Sequence, residues 1–393
     1  MWTEKIPTVR ISPDNETVLQ KLGLLAELAG SWHGTGFNLV ARPFFGTPPG
    51  IQPANLFLEL NLTHETLKFD PISSSIPNRG TFQPDLELFG LTYLQKISDA
   101  TTGGALHIEP GIWVTHDATT APVENPPAKG QIVARMGNIP HGNSILVGGS
   151  AVPFKGAPVI GAPTGAGTPA FSIFPSFNTT PTVIPPAGIA TVQAAGASEL
   201  LSAPGGGFTQ YTLTNAESNT NPRTPLGNTP QVLAPAITQQ LLNDPITLLQ
   251  AKIQEQLAEG CTFEGVAINI ATLAAITFST KASTVTPPAP PAPPPPPGPT
   301  TVVNLADASG GIENLPFLVT NADVPLVFAT FWITKVTPKF GPPFMQLQYA
   351  QFVYLNFPAV LIPSPLPPPQ SDQGKLNFSW PHVSVATLRK TFG

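Results

Sequence analysis

The chain has 393 residues, of which 50 are proline and 34 are glycine, so these two types form more than a fifth of it, against about 12% in ordinary proteins. It carries 18 Lys and Arg and 23 Asp and Glu, a net charge of −5. This composition excludes a coiled coil and a nucleic-acid binder that works through a basic face. Because 41% of the residues are hydrophobic, it also excludes charge-driven disorder. We expect a loop-rich protein with an apolar core, made mostly of β-strands.

A short helix is predicted near the N-terminus, over residues 14–29. Asp14 or Asn15 can cap its first turn, and Gly30 ends it. The apolar residues of this segment recur at helical spacing: Val18, Leu22, Leu25 and Leu28.

Alternating apolar and polar residues then predict a series of strands. They cover residues 32–41, 55–66, 82–98, 105–115 and 130–136, with Pro, Gly and Asn turns between them. Short strands at near-even spacing favour a sandwich or an up-and-down barrel. Three more strands are predicted over 324–336, 343–357 and 376–392. Since an isolated β-pair is only marginally stable, we expect these strands to pair with the N-terminal ones.

The middle of the chain is different in composition. Residues 137–234 are rich in Gly, Pro, Ala, Ser and Thr and poor in charge, which predicts long surface loops with a few short strands. Residues 287–299 hold ten prolines in thirteen positions, so they form an extended polyproline II segment. It is either a stiff spacer or a ligand for a proline-reading partner.

One helix interrupts this loop-rich part, over residues 244–259. Asp244 caps it, Pro245 takes its first helical position and Gly260 ends it. One face of the helix is apolar: Ile246, Leu249, Ile253 and Leu257. A strand is predicted to follow over residues 262–280.

Cysteine usage and segment hydropathy bound the location of the protein. Cys261 is the only cysteine, so no intramolecular disulfide can form. The first thirteen residues lack the basic and apolar regions of a secretory signal. No uncharged apolar run approaches the roughly 20 residues that span a bilayer. We expect a soluble cytoplasmic protein without a transmembrane segment.

Standard enzyme motifs are absent, but three local patterns occur in order. Residues 30–36 read GSWHGTG directly after the first helix, residues 106–113 read LHIEPGIW, and residues 381–390 read PHVSVATLRK. Together these patterns resemble the nitrobindin family, whose members are haem-binding β-barrels. The family opens with a helix and a G-x-W-x-G-x-G strand, carries an H-x-E-x-G-aromatic strand midway, and closes with H-L-x-A-x-L-x-R/K.

The resemblance implies a mostly β fold: a nitrobindin-like, fatty-acid-binding-protein-like antiparallel β-barrel with a large Pro/Gly-rich insertion and one or two short helices. Residues 1–150 would form the N-terminal part of the barrel, and residues 321–393 the strands that complete it. The loop-rich insertion would be residues 151–320, in which the helix over 244–259 and the polyproline segment lie. Its possible roles are a lid, a second pocket or an oligomer contact, and a homo-oligomer stays open.

The resemblance also implies the cofactor and its residues. Haem b would be held non-covalently, with His382 as the axial ligand of the iron and His107 as the cavity histidine. Trp32 would seal the barrel floor and border the cofactor. The basic side chains near the motifs that could meet haem propionates are Arg42, Arg79, Arg135 and Arg389, of which Arg389 belongs to the closing motif.

Two histidines keep alternative interpretations. His107 either hydrogen-bonds a bound molecule as the catalytic group or pairs with Glu109, two residues on along the same strand face. His141 is either a second cavity residue or a turn histidine. We expect the remaining histidines to face solvent: His33, His64 and His116.

The expected function is that of a haem protein acting on peroxide, a diatomic gas or a small apolar substrate, as a peroxidase or peroxynitrite isomerase would. One alternative is a carrier of lipid or another apolar ligand without haem, since such cavities are lined by apolar and aromatic side chains. The other is a structural or assembly protein, in which the Pro-rich insertion mediates subunit contacts.

Overall fold

A computed structural model describes most of the predicted elements. The described residues are 13–43, 56–120, 130–160, 236–243, 245–272, 310–360 and 375–391. The polyproline segment over 287–299 and Asp244 lie outside them, as does most of the predicted insertion.

The predicted N-terminal helix is present in two parts. Helix α1 covers Asn15–Leu22, and a 3-10 helix over Gly23–Leu28 continues it. Asp14 is the cap, because its Oδ1 accepts a hydrogen bond from the Thr17 amide at 2.7 Å. The four apolar residues predicted for one face are all buried: Val18, Leu22, Leu25 and Leu28.

The described residues that follow form twelve strands and three further short helices. The strands are β1 (Gly30–Pro43), β2 (Leu56–Pro71), β3 (Ile76–Asn78), β4 (Leu86–Asp99), β5 (Ala105–Thr115), β6 (Gln131–Ile139), β7 (Asn143–Lys155), β8 (Thr262–Ala271), β9 (Gly310–Asn314), β10 (Asp323–Thr337), β11 (Phe344–Val360) and β12 (Lys375–Thr391). The helices are α2 (Gln239–Asn243), α3 (Thr247–Ala258) and α4 (Pro316–Asn321).

Ten of these strands close into an antiparallel β-barrel, which confirms the predicted fold class. Around the wall the order is β1, β2, β4, β5, β6, β7, β8, β10, β11 and β12, and β12 pairs with β1 again. The strands β3 and β9 lie off this ring and pair with β4 and β7. The predicted pairing of the C-terminal strands with the N-terminal ones is therefore confirmed at the β1–β12 ladder.

The region predicted as an insertion needs a correction. Strand β7 continues through residues 151–155, and β8 lies between β7 and β10. Both are wall strands, so the segment 151–320 is not purely an insertion between two halves of the barrel. Composition alone does not predict β7, because its sequence NSILVGGSAVPFK is rich in the small residues that are typical of loops.

Other boundaries also moved. Helix α3 starts at Thr247, because Pro245 and Ile246 form a tighter turn before it. Leu257, which was predicted to lie on the buried face of the helix, is exposed. Gln256 is buried instead, and its Nε2 donates a hydrogen bond to Gln346 Oε1 at 2.7 Å. The strand predicted over 82–98 begins only at Leu86.

The two faces of the wall carry two apolar clusters. The inner cluster fills the barrel and includes the N-terminal helices, Trp32, Phe331 and Leu388. The outer cluster lies between the outside of the wall and helices α2 and α3. Because side chains alternate across a strand, these clusters tell which residues of each strand point inwards.

The N-terminal helix closes one end of the barrel through its apolar face. We expect Leu22→Ala, at a fully buried position, to lower the free energy of unfolding by about 2–5 kcal/mol through loss of packing and a residual cavity. Leu19→Ala, one helical turn earlier and 42% exposed, is the control and should cost under about 1 kcal/mol. Urea unfolding measures both, and equal costs would mean that the helix is not packed into the barrel.

Candidate functional site

The barrel interior is apolar at the end that the N-terminal helix closes. Trp32 is fully buried there, and its indole Nε1 donates to the Leu28 carbonyl at 2.7 Å. Leu388 and Leu347 share this layer. Trp32 therefore lies at the floor, bonded to the helix that seals it.

A buried ion pair crosses the next layer of the interior. The Nη2 group of Arg135 on β6 donates to Glu109 Oε1 on β5 at 2.5 Å. Its Nε donates to the Tyr93 hydroxyl at 3.0 Å and its Nη1 to Gln351 Oε1 at 2.7 Å. The Tyr93 hydroxyl in turn donates to Glu109. Each nitrogen of the guanidinium thus has a partner, which a buried cation requires.

These contacts set the charge of both partners. Burial alone would raise the pKa of Glu109, but the guanidinium of Arg135 and hydrogen bonds from His107 and Tyr93 together lower it to about 2. The pKa of Arg135 stays above its usual range although burial opposes this, because Glu109 faces it. The pair is therefore charged at neutral pH.

A second carboxyl of the same layer has no such cation. Glu65 on β2 accepts a hydrogen bond from Gln95 Nε2 at 2.5 Å and from the Tyr349 hydroxyl at 2.7 Å. Both donors are neutral, and burial is the dominant influence, so the pKa of Glu65 rises to about 7. We refer to Arg135, Glu109, Tyr93, Gln351, Glu65, Gln95 and Tyr349 as the polar belt.

Residues without large side chains make room for the belt. In the wall, β1 and β12 separate Glu65 on β2 from Tyr349 on β11, so their hydrogen bond passes inside these strands. Gly34, Gly36 and Ala386 stand at that level. On β6, a Cβ at Gly137 would collide with Glu109 and Tyr93, a collision that explains glycine at this position.

His382 lies on the inner face of β12, beyond the belt as seen from the helix. It alternates with Ala386 and Leu388, which belong to the inner cluster. Its Nε2 lies 2.7 Å from Asn38 Oδ1 on β1, and Ser384 Oγ donates to the same oxygen at 2.9 Å. Since the amide oxygen can only accept, His382 donates its Nε2 proton, and its Nδ1 keeps the lone pair.

The environment of His382 keeps its imidazole neutral. Burial above all, with a smaller effect of the nearby His107 and His141 when they are charged, lowers its pKa to about 3. The side chain is surrounded by the barrel wall, yet part of its surface stays accessible. His382 is therefore a neutral, partly accessible imidazole on the inner face of the barrel.

Two further histidines share this region, which we call the histidine cavity: His382, His107 and His141. His107 lies on β5 with its side chain 15% exposed, and its Nε2 is 3.2 Å from Glu109 Oε2. His141 lies in the turn between β6 and β7, with its ring centroid 6.3 Å from that of His107. His141 is exposed, and its partial desolvation, followed by the charge of His107, lowers its pKa.

The structure thus brings three of the singled-out histidines together and shows the pairing of His107 with Glu109, while its catalytic role stays a prediction. It is paired with Glu109, and it also faces the region of His382. Arg389 does not share that space, because it lies on the outer face of β12, exposed, with its guanidinium 4.1 Å from the Phe344 ring centroid. Of the candidate arginines whose side chains the structure describes, Arg135 is buried in the interior, whereas Arg79 is exposed.

The other histidines lie outside the cavity. His33 and His64 are exposed on the outer wall, as expected. His116 is half-buried, with its Nδ1 2.7 Å from the Asp117 carbonyl. The expectation that all three face solvent therefore holds fully for two of them.

Sequence reasoning missed Asn38, Glu65 and Tyr349. The available signal was parity: Glu65 alternates with Leu67 and Phe69, and Tyr349 with Leu347, all of which belong to the inner cluster. A carboxyl on the apolar face of an alternating strand is rare unless it has a partner. That partner stands 284 residues away in the sequence.

A groove of about 910 Å³ runs along β1, β2, β4 and β5. Its lining includes the exposed outer-wall side chains His33, His64 and Lys96, together with residues 65 and 107 between them. The groove therefore lies on the strands that carry Glu65 and His107.

The described residues contain neither a metal-binding group of side chains nor a helix that could span a membrane. No three His, Cys, Asp or Glu side chains within the described ranges are grouped so that they could hold a metal ion by themselves. None of the helices in that part of the chain has the length and apolar character needed to cross a membrane.

Comparisons with known proteins add little to this geometry. No family model matches the chain, and no curated protein matches it. The crystal structure of Rv2717c from M. tuberculosis aligns with 95% of this chain and 98% of its own, at 13% identity and a TM-score of 0.30. A superposition this loose carries no argument about function.

The buried ion pair of the belt should behave differently from a surface pair. We expect Arg135→Met to destabilise the protein by about 3–5 kcal/mol, because it leaves the Glu109 carboxylate buried without a cation. The double variant Arg135→Met/Glu109→Gln should recover most of this loss, since no unpaired charge remains. Denaturant unfolding with both variants gives the two values.

Lys335→Met is the matched control, because Lys335 pairs with Glu264 at 2.8 Å with both side chains about half exposed. A surface pair contributes about 0–1 kcal/mol. If Arg135→Met cost no more than this control, the described network would not hold in solution.

Proposed function

We propose that the protein binds haem b non-covalently in the histidine cavity, with His382 as the protein ligand of the iron. The observation that supports this most is a neutral histidine on the inner wall of the barrel, bonded through one ring nitrogen and bordering accessible space. The motif resemblance of residues 30–36, 106–113 and 381–390 led to the same residue independently of its environment.

The donor chemistry of His382 fits haem iron. Iron binds the unprotonated nitrogen of a neutral imidazole, and here Nδ1 keeps its lone pair because Nε2 donates to Asn38. Histidines that ligate metals almost always donate their other N–H to a carbonyl or carboxylate, which fixes the ring. The Asn38 side-chain oxygen is the acceptor here. Ser384, on the same strand as His382, also donates a hydrogen bond to this oxygen.

A haem also suits the number of ligands that the cavity offers. The porphyrin supplies four nitrogens, so one protein side chain is enough. A bare metal ion needs several protein ligands, and no such group occurs in the described part of the chain. The cavity therefore favours haem over a mononuclear site built from side chains alone.

His107 would act on the molecule that binds in the cavity. Glu109 accepts its Nε2 proton at 3.2 Å, and Arg135 holds Glu109 in turn. This fixes the imidazole, and its Nδ1 can accept or exchange a proton with a bound gas or peroxide. Bound haem would supply the iron to which such a small molecule binds.

The lipid-carrier alternative has one specific difficulty. A fatty acid would need a cation in the barrel for its carboxylate. The three guanidinium nitrogens of the interior Arg135 already donate hydrogen bonds to Glu109, Tyr93 and Gln351. A neutral apolar ligand would not meet this difficulty. We therefore place haem first and a neutral apolar ligand second.

Haem titration tests the proposal directly. We expect the wild-type protein to show a Soret band, as purified or after haemin addition, and His382→Ala to lose or shift it and bind haemin at least about tenfold more weakly, a loss of about 1.4 kcal/mol. His33→Ala is the matched control, since His33 lies on the outer wall. It should leave the spectrum unchanged.

Two outcomes would contradict the proposal at different points. An unchanged spectrum in His382→Ala would remove that residue as the ligand, and His107→Ala and His141→Ala would be measured next. A wild-type protein that stays colourless with haemin and releases an extractable apolar compound would support the carrier alternative instead.

A further inference from the structure

The polar belt contains one carboxyl whose presence the proposed haem site does not explain. Glu65 is buried, and among the described residues its carboxylate oxygens accept hydrogen bonds from Gln95 and Tyr349, while the buried cation Arg135 donates to Glu109, Tyr93 and Gln351. Hydrogen bonds from neutral donors offset the desolvation free energy of a buried charge less than an ion pair does. A buried carboxyl in such surroundings exchanges its proton much more readily than the paired Glu109.

We infer that Glu65 is the proton-exchanging group of the cavity, and that it takes up one proton when an anionic ligand enters. The exchange itself does not depend on haem, whereas its coupling to an anion rests on the proposed function. The ligand class this assigns is a small inorganic or organic anion, bound together with a proton.

The charges around Glu65 support this inference. Arg135 and Glu109 act on it through space with opposite sign, and they neutralise each other as an ion pair. Tyr349 and Tyr93 stay protonated, because burial raises the pKa of each phenol. At this level β1 and β12 contribute Gly34, Gly36 and Ala386, which do not titrate. The interior charge of the belt therefore changes with the protonation of Glu65.

The hydrogen-bond triangle can hold either form of the acid. In the carboxylate form, Gln95 Nε2 donates to Glu65 Oε1 and, at 3.2 Å, to the Tyr349 oxygen, while the Tyr349 hydroxyl donates to Glu65 Oε2. When a proton sits on Oε1, a turn of the Gln95 carboxamide presents its oxygen as the acceptor.

The sign of the coupling follows from linkage. Burial raises the pKa of Glu65 to about 7, and a second negative charge in the cavity raises it further. Near and above this pH, binding of an anion therefore takes up a proton, and by reciprocity the affinity for the anion falls as pH rises. Uptake of one proton limits this fall to about tenfold per pH unit.

The first experiment uses the haem-free protein, with no added ligand. We expect an infrared band of a protonated buried carboxyl that disappears with a midpoint near pH 7 and is absent from Glu65→Gln. Tyr349→Phe removes one of the two donors to the carboxylate, so it should move the midpoint to higher pH. Glu264→Gln, a change at an exposed glutamate that pairs with Lys335, is the control and should leave the band as it is.

The second experiment adds azide to the haem-loaded ferric protein and follows the Soret shift between about pH 6 and about pH 9. We expect the azide affinity of the wild type to fall more steeply with pH than that of Glu65→Gln, by up to about tenfold per unit. Transitions that belong to azide or to the iron remain in both proteins, so the difference reports Glu65. Glu264→Gln should follow the wild type.

The two parts can fail separately. A missing carboxyl band in the folded wild-type protein, or an identical band in Glu65→Gln, would overturn the assignment of Glu65 whatever the haem titration shows. Parallel azide curves for wild type and Glu65→Gln would overturn the coupling. A protein without a Soret band would contradict the haem proposal and leave the infrared result standing.

Discussion

The antiparallel ladder between β1 and β12 is the constraint on which the cavity depends. It joins the N-terminal strand to the C-terminal one and closes the barrel, with Val40 opposite His382 and Asn38 opposite Ser384. In this register His382 and Asn38 face the same interior from adjacent strands, close enough for the 2.7 Å hydrogen bond. A slip of one residue would turn His382 to the outside of the barrel.

The interior is layered, and each layer has a different physical role. The apolar floor around Trp32 contributes burial. The polar belt is expensive to desolvate, but its partners come from β2, β4, β5, β6 and β11, so it also fixes these strands relative to one another. The histidine cavity lies beyond the belt, where polar side chains border accessible space. The polar belt therefore borders the histidine cavity with a rigid layer of charged and polar side chains.

The sequence predicts those features that depend on residues close together in the chain, and it does not predict those that depend on residues far apart in it. Local patterns were enough for the bounds of β5 and for the strand that carries His382, and they narrowed the helix cap to Asp14 or Asn15. They failed for β7, whose small residues look like a loop until β6 and β8 pair with it. They failed equally for the contact between Glu65 and Tyr349, because only closure of the barrel brings β2 and β11 within reach across its interior.

The two carboxyls of the belt show how neighbours decide the role of one chemical group. Glu109 meets a guanidinium at 2.5 Å and remains an anion that orients His107. Glu65, in the same layer, meets an amide and a phenol among the described residues, and burial raises its pKa to about 7, so it can hold a proton near neutral pH. One carboxyl thus positions an imidazole, and the other can change its charge. Under the proposed function both properties are used, because a fixed imidazole selects the geometry of the ligand and a proton on Glu65 offsets the charge of an anion.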